Sequence, residues 1–219
     1  GLKGNITENK RIEKQQNILY ALGINENDER SAIFVSKNIV AEKFSEYITK
    51  QIIIQGENIT EDAEAYLIDI KKEQAAAKDD SYKRRLPLFI SEKESETYYV
   101  APIRGKGLWD AIWAYVAMDK NMVVQGIFLD HKGETPGLGA NINQRFFMDD
   151  FIGEHLNNES GDFAGIKVAK SNGDPKNERK TDNKVDAIAG STITGDGVSA
   201  MIKSELKLYI PYFKTLKNN

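Results

Sequence analysis

The sequence has no cysteine and only two histidines, His131 and His155, among its 219 residues. The lack of cysteine excludes disulfides, thiolate zinc sites, iron-sulfur clusters and cysteine nucleophiles. Two histidines are too few for a histidine-rich metal site. No apolar run approaches the roughly 20 residues that a membrane-spanning helix needs. We therefore predict no metal site.

Neither sign of charge is in large excess, because the formal net charge is only -3. Apolar residues make up 40% and charged residues 29%, which is ordinary for a soluble globular protein. A nucleic-acid-binding protein normally presents a clustered basic surface. The densest basic run, residues 83–85, is interpreted as a solvated turn before a strand. The composition therefore predicts no nucleic-acid partner.

Apolar spacing and capping signals predict several helices. Gly23 marks the C-terminal cap of the first helix. The predicted helices cover residues 9–22, 36–47, 142–156 and 197–208, with a charged, peripheral helix within residues 61–78.

Short apolar or alternating runs predict strands between these helices. They cover residues 51–55, 86–90, 97–103, 112–118, 122–130 and 165–170. The alternation within residues 112–118 indicates a strand with only one buried face. Because strands and helices are interspersed without a βαβ repeat, the predicted fold class is α+β, with a mostly antiparallel sheet and flanking helices.

The first segment that could carry chemistry is residues 186–198, a hydroxyl-rich turn before the last helix. Free amides and the positive dipole end at a helix N-terminus bind phosphate well, and glycine lets the backbone approach a ligand. A simple helix cap made by Ser or Thr explains the same residues. The residues alone leave both interpretations open.

Two glycine-bearing segments lie upstream, residues 105–110 and 131–139. Pro136-Gly137 signals a turn within the second segment, which could wrap a flat ligand or simply connect two elements. Trp109 could stack on a ring or lie in the core. His131 could transfer a proton or have a structural role only.

In their order, these segments resemble the FMN-binding domain found in the C subunit of the sodium-translocating NADH:quinone oxidoreductase. They read Gly-Lys-Gly-Leu-Trp, then His-Lys-Gly-Glu-Thr-Pro-Gly-Leu-Gly, then Asp followed by Gly-Ser-Thr-Ile-Thr. The G subunit of the Rnf electron-transport complex shares the last two motifs. The resemblance covers about residues 98–213. It implies an FMN-binding domain over residues 96–219, after an N-terminal helical and mixed region over residues 1–95.

The resemblance also implies that FMN is attached covalently, through its phosphate, to the last threonine of a Ser-Gly-Ala-Thr-x-Thr motif. Here residues 189–194 read Ala-Gly-Ser-Thr-Ile-Thr, so Ala189 and Ser191 depart from the pattern but stay small. Thr194 is then the acceptor. The other implied site residues are Gly190, Ser191, Thr192 and Ile193 at the phosphate, Thr135, Leu138, Gly139 and Trp109 at the ring, and Asp186, which a flavin transferase recognises.

By the same resemblance, the chain is an electron carrier within an oxidoreductase complex and is not active alone. A domain that only accepts and passes electrons needs no general base, so no residue is assigned as catalytic. Its implied partners are the other subunits of that complex and the flavin transferase that matures it. The implied location is the outer face of the cytoplasmic membrane, with a single N-terminal helix as anchor. Three alternatives remain: an Rnf G subunit, a flavin-free scaffold domain of the same fold, and an independent flavin reductase.

Overall fold

A six-stranded sheet forms the centre of the fold in the computed structural model, which describes residues 7–28 and 31–218. Its strands are β1 (Ile48–Gln55), β2 (Asn58–Glu61), β3 (Arg85–Lys93), β4 (Glu96–Lys106), β5 (Ala111–Met118) and β6 (Val124–His131). Their order is β2-β1-β3-β4-β5-β6, and every neighbouring pair is antiparallel. A short parallel pair, β7 (Lys167–Val168) and β8 (Lys184–Val185), forms a second sheet. The predicted α+β class with a mostly antiparallel sheet is confirmed.

Helices flank the sheet and account for most of the remaining regular structure. They are α1 (Glu8–Ala21), α2 (Val40–Tyr47), α3 (Ile70–Ala76), α4 (Arg145–Met148), α5 (Thr192–Leu206) and α6 (Ile210–Leu216). Short 3-10 helices lie at Ala65–Leu67, Gly139–Asn143, Asp149–Phe151 and Lys207–Tyr209. Gly23 follows α1 with φ +80°, which confirms the predicted cap. Within the described residues, no helix is long and apolar enough to cross a bilayer.

Two helices approach the sheet so closely that two strands carry glycine at the contact. A side chain at Gly105 of β4 would meet Met201 of α5, and one at Gly126 of β6 would collide with the Ala21 carbonyl of α1. Strand β5 lies between β4 and β6 and is buried along almost its whole length. The prediction that residues 112–118 form a half-buried strand is therefore wrong, because helices cover both sides of the sheet.

The predicted helix over residues 142–156 is also wrong. The chain instead forms two 3-10 turns separated by the four-residue helix α4. Gln144 is extended, with φ -85° and ψ 147°, and Gly153 has φ +84°, so the helix cannot continue through either residue. The broken path buries Phe147 and Phe151 but leaves Phe146 exposed, which an unbroken apolar helical face would not do.

The boundary predicted between residues 95 and 96 falls in the tight turn between β3 and β4. These strands pair directly, with Lys93 opposite Glu96. Residues on both sides of the boundary therefore contribute strands to one sheet and one hydrophobic core. The division into two functional regions stays a prediction.

A buried ion pair fixes the C-terminal half of α5 to the sheet. Arg84 donates from both terminal nitrogens to the Glu205 carboxylate at 2.7 and 2.8 Å. Gln74 donates to the same carboxylate at 2.7 Å and to the Arg104 carbonyl at 2.8 Å. Both charged side chains are largely buried. Removal of one partner would leave the other charge buried and unpaired in the protein interior.

We expect Glu205→Ala to lower the free energy of unfolding by about 3–5 kcal/mol, because it leaves the Arg84 guanidinium buried without its partner. Urea denaturation measures the change. Glu46→Ala is the control, since the Lys43–Glu46 pair is exposed and its loss should matter little. Equal losses in the two variants would contradict the assigned role of the buried pair.

Glu154 is a second buried carboxyl group, but among the described residues it has no cationic partner at hydrogen-bond distance. One oxygen accepts the Lys184 backbone amide at 3.2 Å, and the other has no partner in the described part of the chain. Burial, reinforced by the neighbouring Asp182 carboxylate, raises the pKa of Glu154 to about 8. The folded protein therefore holds this group protonated at pH values where the unfolded chain, with a pKa of about 4.3, releases the proton.

Because the folded-state pKa is the higher one, Glu154 contributes stability that is complete below about pH 4.3 and is lost as the pH rises towards about 8. The loss is at most about 1.4 kcal/mol per pH unit within that window. We expect Glu154→Gln to remove this part of the pH dependence and to be more stable than the wild type at pH 8. Urea denaturation from pH 5 to 8 tests this, with the exposed Glu159→Gln as control. Parallel curves for wild type and Glu154→Gln would refute it.

Candidate functional site

Three segments meet at one buried carboxylate, that of Glu134. They are the turn after β4, the loop after β6 and the first turn of α5. One Glu134 oxygen accepts the Leu108 amide at 2.7 Å and the Thr194 hydroxyl at 2.8 Å. The other accepts the Trp109 amide at 3.0 Å. The three sequence motifs, which are far apart along the chain, are thus joined by direct hydrogen bonds.

Glycines make room for this junction. A side chain at Gly107 would overlap the Glu134 carboxylate, and one at Gly197 would overlap the Lys106 carbonyl. A Cβ at Gly139 would lie 2.5 Å from the Thr194 hydroxyl. These positions therefore require glycine because of the close approach of neighbouring groups.

The loop after β6 has the predicted turn at Pro136-Gly137. Gly137 has φ +76°, and the Leu138 amide donates to the Thr135 carbonyl at 3.0 Å. His131 holds the start of the loop, since its Nδ1 accepts the Glu134 amide at 3.0 Å. His131 therefore positions Glu134, and its contacts support the structural interpretation of this histidine.

Thr194 lies in the first turn of α5 and is 1% exposed. The helix begins at Thr192, five residues earlier than predicted, so Thr194 is part of the helix and does not merely precede it. Ser191 occupies the N-cap position but makes no side-chain hydrogen bond to the helix. A simple hydroxyl cap therefore does not account for the hydroxyl-rich sequence here.

Four large apolar side chains around this junction are exposed, although soluble proteins usually bury such groups. Leu108, Trp109, Leu138 and Ile193 are 42%, 65%, 42% and 57% exposed. The Trp109 indole nitrogen donates to the Thr135 hydroxyl at 3.3 Å, which fixes the ring on the surface. A side chain at Gly190 would meet Leu138, so the start of α5 lies against the loop. We call these four side chains the apolar rim.

A cavity of about 280 Å³ lies at the start of α5. Its lining includes residues 187–192 on one side and residues 168–172 on the other. The first amides of a helix have no intrahelical acceptor, and the lining carries one exposed side chain of each charge, Lys170 and Asp196. The helix amides are therefore the feature of this cavity that favours an anion.

Most of the predicted site residues are therefore close together. Thr194, Thr135, Leu138, Gly139, Trp109, Gly190 and Ile193 surround the Glu134 junction or its rim, and Ser191 and Thr192 line the adjoining cavity. Asp186 is not joined to them by the hydrogen bonds described, because it accepts the Asp174 amide at 3.3 Å. Its assignment to the site stays a prediction.

Glu134 was not among the predicted site residues, although it lies within the second motif. The sequence signal was a carboxylate between Gly133 and Thr135, in a turn that otherwise lacks charge except at Lys132. The folded structure identifies it, because Thr194 lies at hydrogen-bond distance from its carboxylate. Across the described ranges, no group of three or more His, Asp or Glu residues could hold a metal ion.

We expect Gly107→Ala to destabilise the protein by about 1–3 kcal/mol, because the new methyl group displaces the Glu134 carboxylate from its donors. Urea denaturation measures the effect. Gly133→Ala is the matched control, since its Cβ would meet only Asp110 at an ordinary 3.8 Å. A loss for Gly133→Ala as large as for Gly107→Ala would contradict this account.

Comparison with known proteins gives a consistent family. Residues 107–207 match the model of the FMN-binding domain. The C subunit of the Na(+)-translocating NADH-quinone reductase of Pseudomonas aeruginosa is 30% identical over 221 residues, which cover 92% of this chain and 80% of the relative. The same subunit of Vibrio alginolyticus is 29% identical over 213 residues, covering 90% and 78%.

Solved structures agree with the sequence relatives. The crystal structure of the C subunit of this reductase from Parabacteroides distasonis superposes with a TM-score of 0.76 and 28% identity, covering 95% of this chain and 98% of that one. The NqrC structure from Shewanella oneidensis has a TM-score of 0.74 at 24% identity, covering 97% and 100%, and it supports the fold alone.

Proposed function

The chain belongs to the NqrC family, the C subunits of the Na(+)-translocating NADH-quinone reductase, and on that premise we propose that it carries FMN covalently on Thr194. It is an electron-transfer subunit of an oxidoreductase complex in a membrane, with FMN as cofactor and the other subunits as partners. The relatives from Pseudomonas aeruginosa and Vibrio alginolyticus are both NqrC proteins, which favours this assignment over the Rnf G subunit.

The surroundings of Thr194 fit a flavin nucleotide. A flavin has a flat, largely apolar ring system and a phosphate, and the site offers a separate surface for each. The apolar rim supplies exposed side chains from all three motifs, and the cavity at the start of α5 supplies helix amides, with Lys170 and Asp196 also in its lining. Thr194 is next in sequence to Ile193 of the rim and to Gly195 of the cavity lining, so a ligand attached to it has both surfaces nearby.

Within this proposal, Leu138 and Trp109 contact the ring, while Thr135 holds the Trp109 indole in place. The exposed side chain of Ile193, which the resemblance assigned to the phosphate, belongs to the rim and also contacts the ring. The backbone of Gly190, Ser191 and Thr192 receives the phosphate, and Gly139 gives space beside Thr194. Bound FMN supplies the redox chemistry by accepting and releasing electrons, and the protein sets its position and environment.

We also propose, from the resemblance, a flavin transferase that recognises Asp186 and attaches the cofactor. The same resemblance supports a single N-terminal membrane helix as anchor, and a location of the domain on the outer face of the membrane. The flavin-free scaffold alternative rests on the departures at Ala189 and Ser191. Both residues are small and leave the backbone of the turn accessible.

Intact-mass measurement after co-expression with a flavin transferase tests the acceptor. We expect the wild type to gain the mass of one FMN less one water. Thr194→Val should gain nothing, because valine has no hydroxyl oxygen to esterify. The control is Thr181→Val, which removes an exposed threonine elsewhere and should be modified like the wild type.

Two results would refute the assignment. One is an unmodified wild type in the presence of active transferase. The other is a Thr194→Val variant that still carries the adduct. In that case an unmodified Thr192→Val variant would identify the exposed hydroxyl of Thr192 as the acceptor.

A further inference from the structure

The hydroxyl of Thr194 has a carboxylate at hydrogen-bond distance, and both groups are buried. Thr194 Oγ1 donates to Glu134 Oε1 at 2.8 Å, and the two residues are 1% and 4% exposed. A threonine hydroxyl is a poor nucleophile unless a neighbouring group accepts its proton. We propose that Glu134 positions Thr194 and accepts its proton when the flavin phosphate is attached. This inference rests on the proposed covalent attachment at Thr194.

Glu134 is held in the orientation that this role requires. The Leu108 amide donates to the oxygen that accepts Thr194, and the Trp109 amide donates to the other oxygen. His131 fixes the backbone of Glu134 through the hydrogen bond from its amide at 3.0 Å. The carboxylate therefore has little freedom to turn away from the hydroxyl.

No other side chain among the described residues is hydrogen-bonded to the Thr194 hydroxyl. His131, another possible base in the motifs, uses its Nδ1 to accept the Glu134 amide. Asp196, two residues from Thr194, is exposed while the Thr194 hydroxyl is buried. Asp186 accepts a hydrogen bond from the Asp174 amide. Glu134 is thus the base that this chain itself brings to the acceptor oxygen.

The attachment step balances with a flavin dinucleotide as donor, in which the FMN phosphate is joined to a second nucleotide by a phosphoanhydride. The bond between Thr194 Oγ1 and the flavin phosphorus forms. The phosphoanhydride bond to that phosphorus breaks, and a nucleoside monophosphate leaves. The hydroxyl proton passes to Glu134. No electrons are gained or lost, so no oxidant or reductant is required.

The burial of Thr194 adds a condition. An oxygen that is 1% exposed cannot reach a phosphorus atom bound to another protein, so the residues packed over it, among them Leu138 and Gly139, have to move aside first. If Thr194 and Glu134 stay hydrogen-bonded during this movement, the hydroxyl is uncovered together with its own base and needs no separate base from the transferase. The rate of attachment should therefore depend on residue 134 even when transferase and donor are saturating.

The test is the rate of adduct formation on purified, unmodified protein, with transferase and flavin adenine dinucleotide added and the product followed by intact mass. We expect Glu134→Gln to react at least about 100-fold more slowly at saturating concentrations, which is the lower range for the loss of a general base. The concentration for half-maximal rate should change little. Glu134→Asp, which keeps the carboxylate on a shorter side chain, should recover part of the rate.

Glu154→Gln is the matched control, because it makes the same chemical change at a buried glutamate outside the site. It should react at the wild-type rate. Gly139→Ala is the second test variant, since its Cβ would lie 2.5 Å from Thr194 Oγ1 and 3.2 Å from Glu134 Cβ and would disturb their hydrogen bond while keeping both side chains. It should also react slowly, and it keeps the proposal testable if urea denaturation shows that Glu134→Gln does not fold.

The outcomes separate the two proposals. If the wild type is not modified by active transferase, the covalent attachment is refuted and the role of Glu134 falls with it. If the wild type is modified and folded Glu134→Gln or Gly139→Ala keeps the wild-type rate, the role of Glu134 alone is refuted. The same holds if Glu134→Gln raises only the half-maximal concentration, since that result indicates a binding role without proton transfer.

Discussion

The site depends on a single constraint, which is that a buried carboxylate must be surrounded by hydrogen-bond donors. An unpaired charge in the interior costs several kcal/mol, so Glu134 can stay buried only where donors converge on it. Two of those donors are backbone amides, of Leu108 and Trp109, and the third is the Thr194 hydroxyl. These hydrogen bonds hold together the turn after β4, the loop after β6 and the start of α5.

The sheet provides the rigid frame for this junction. Strands β4 and β6 end next to the two loops, with β5 paired between them over its whole length. The other end of α5 is anchored by the buried Arg84–Glu205 pair, and Tyr209 beyond it donates to the Pro87 carbonyl at 2.7 Å. With its C-terminal end fixed on β3 and β4, α5 can present Thr194 to Glu134 at a defined distance.

The sequence predicted the fold where local signals and tertiary packing agree. Strands β1 and β3 to β7, the capped first helix and the Pro136-Gly137 turn follow from apolar runs, glycine placement and turn chemistry. The short strands β2 and β8 were not predicted. The helix predicted over residues 142–156 is wrong, although the apolar side chains have helical spacing. The backbone is interrupted at Gln144 and Gly153, and the apolar side chains are buried from separate short turns. The double burial of β5 could not be predicted from its own residues, since it depends on helices from distant parts of the chain.

The site, like the burial of β5, depends on residues that are far apart in the sequence. The order of the three motifs identified the segments and Thr194, but spacing along the chain gave no reason to choose Glu134 among the acidic residues. Its importance comes from contacts across 26 and 60 residues of sequence, to Leu108 and to Thr194. Such contacts between distant residues depend on the fold and leave no local pattern in the sequence.

The shape of the site also explains why a covalent bond would suit this cofactor. The apolar rim consists of exposed side chains on the surface, and the adjoining cavity of about 280 Å³ is lined by only a few short segments. Tightly held small ligands usually have most of their surface buried, and this surface cannot supply that burial for a flavin ring. An electron carrier that exchanges electrons with neighbouring subunits, however, gains from an exposed ring. The proposed bond to Thr194 would retain the flavin without burying it, and α5 would fix the point of attachment.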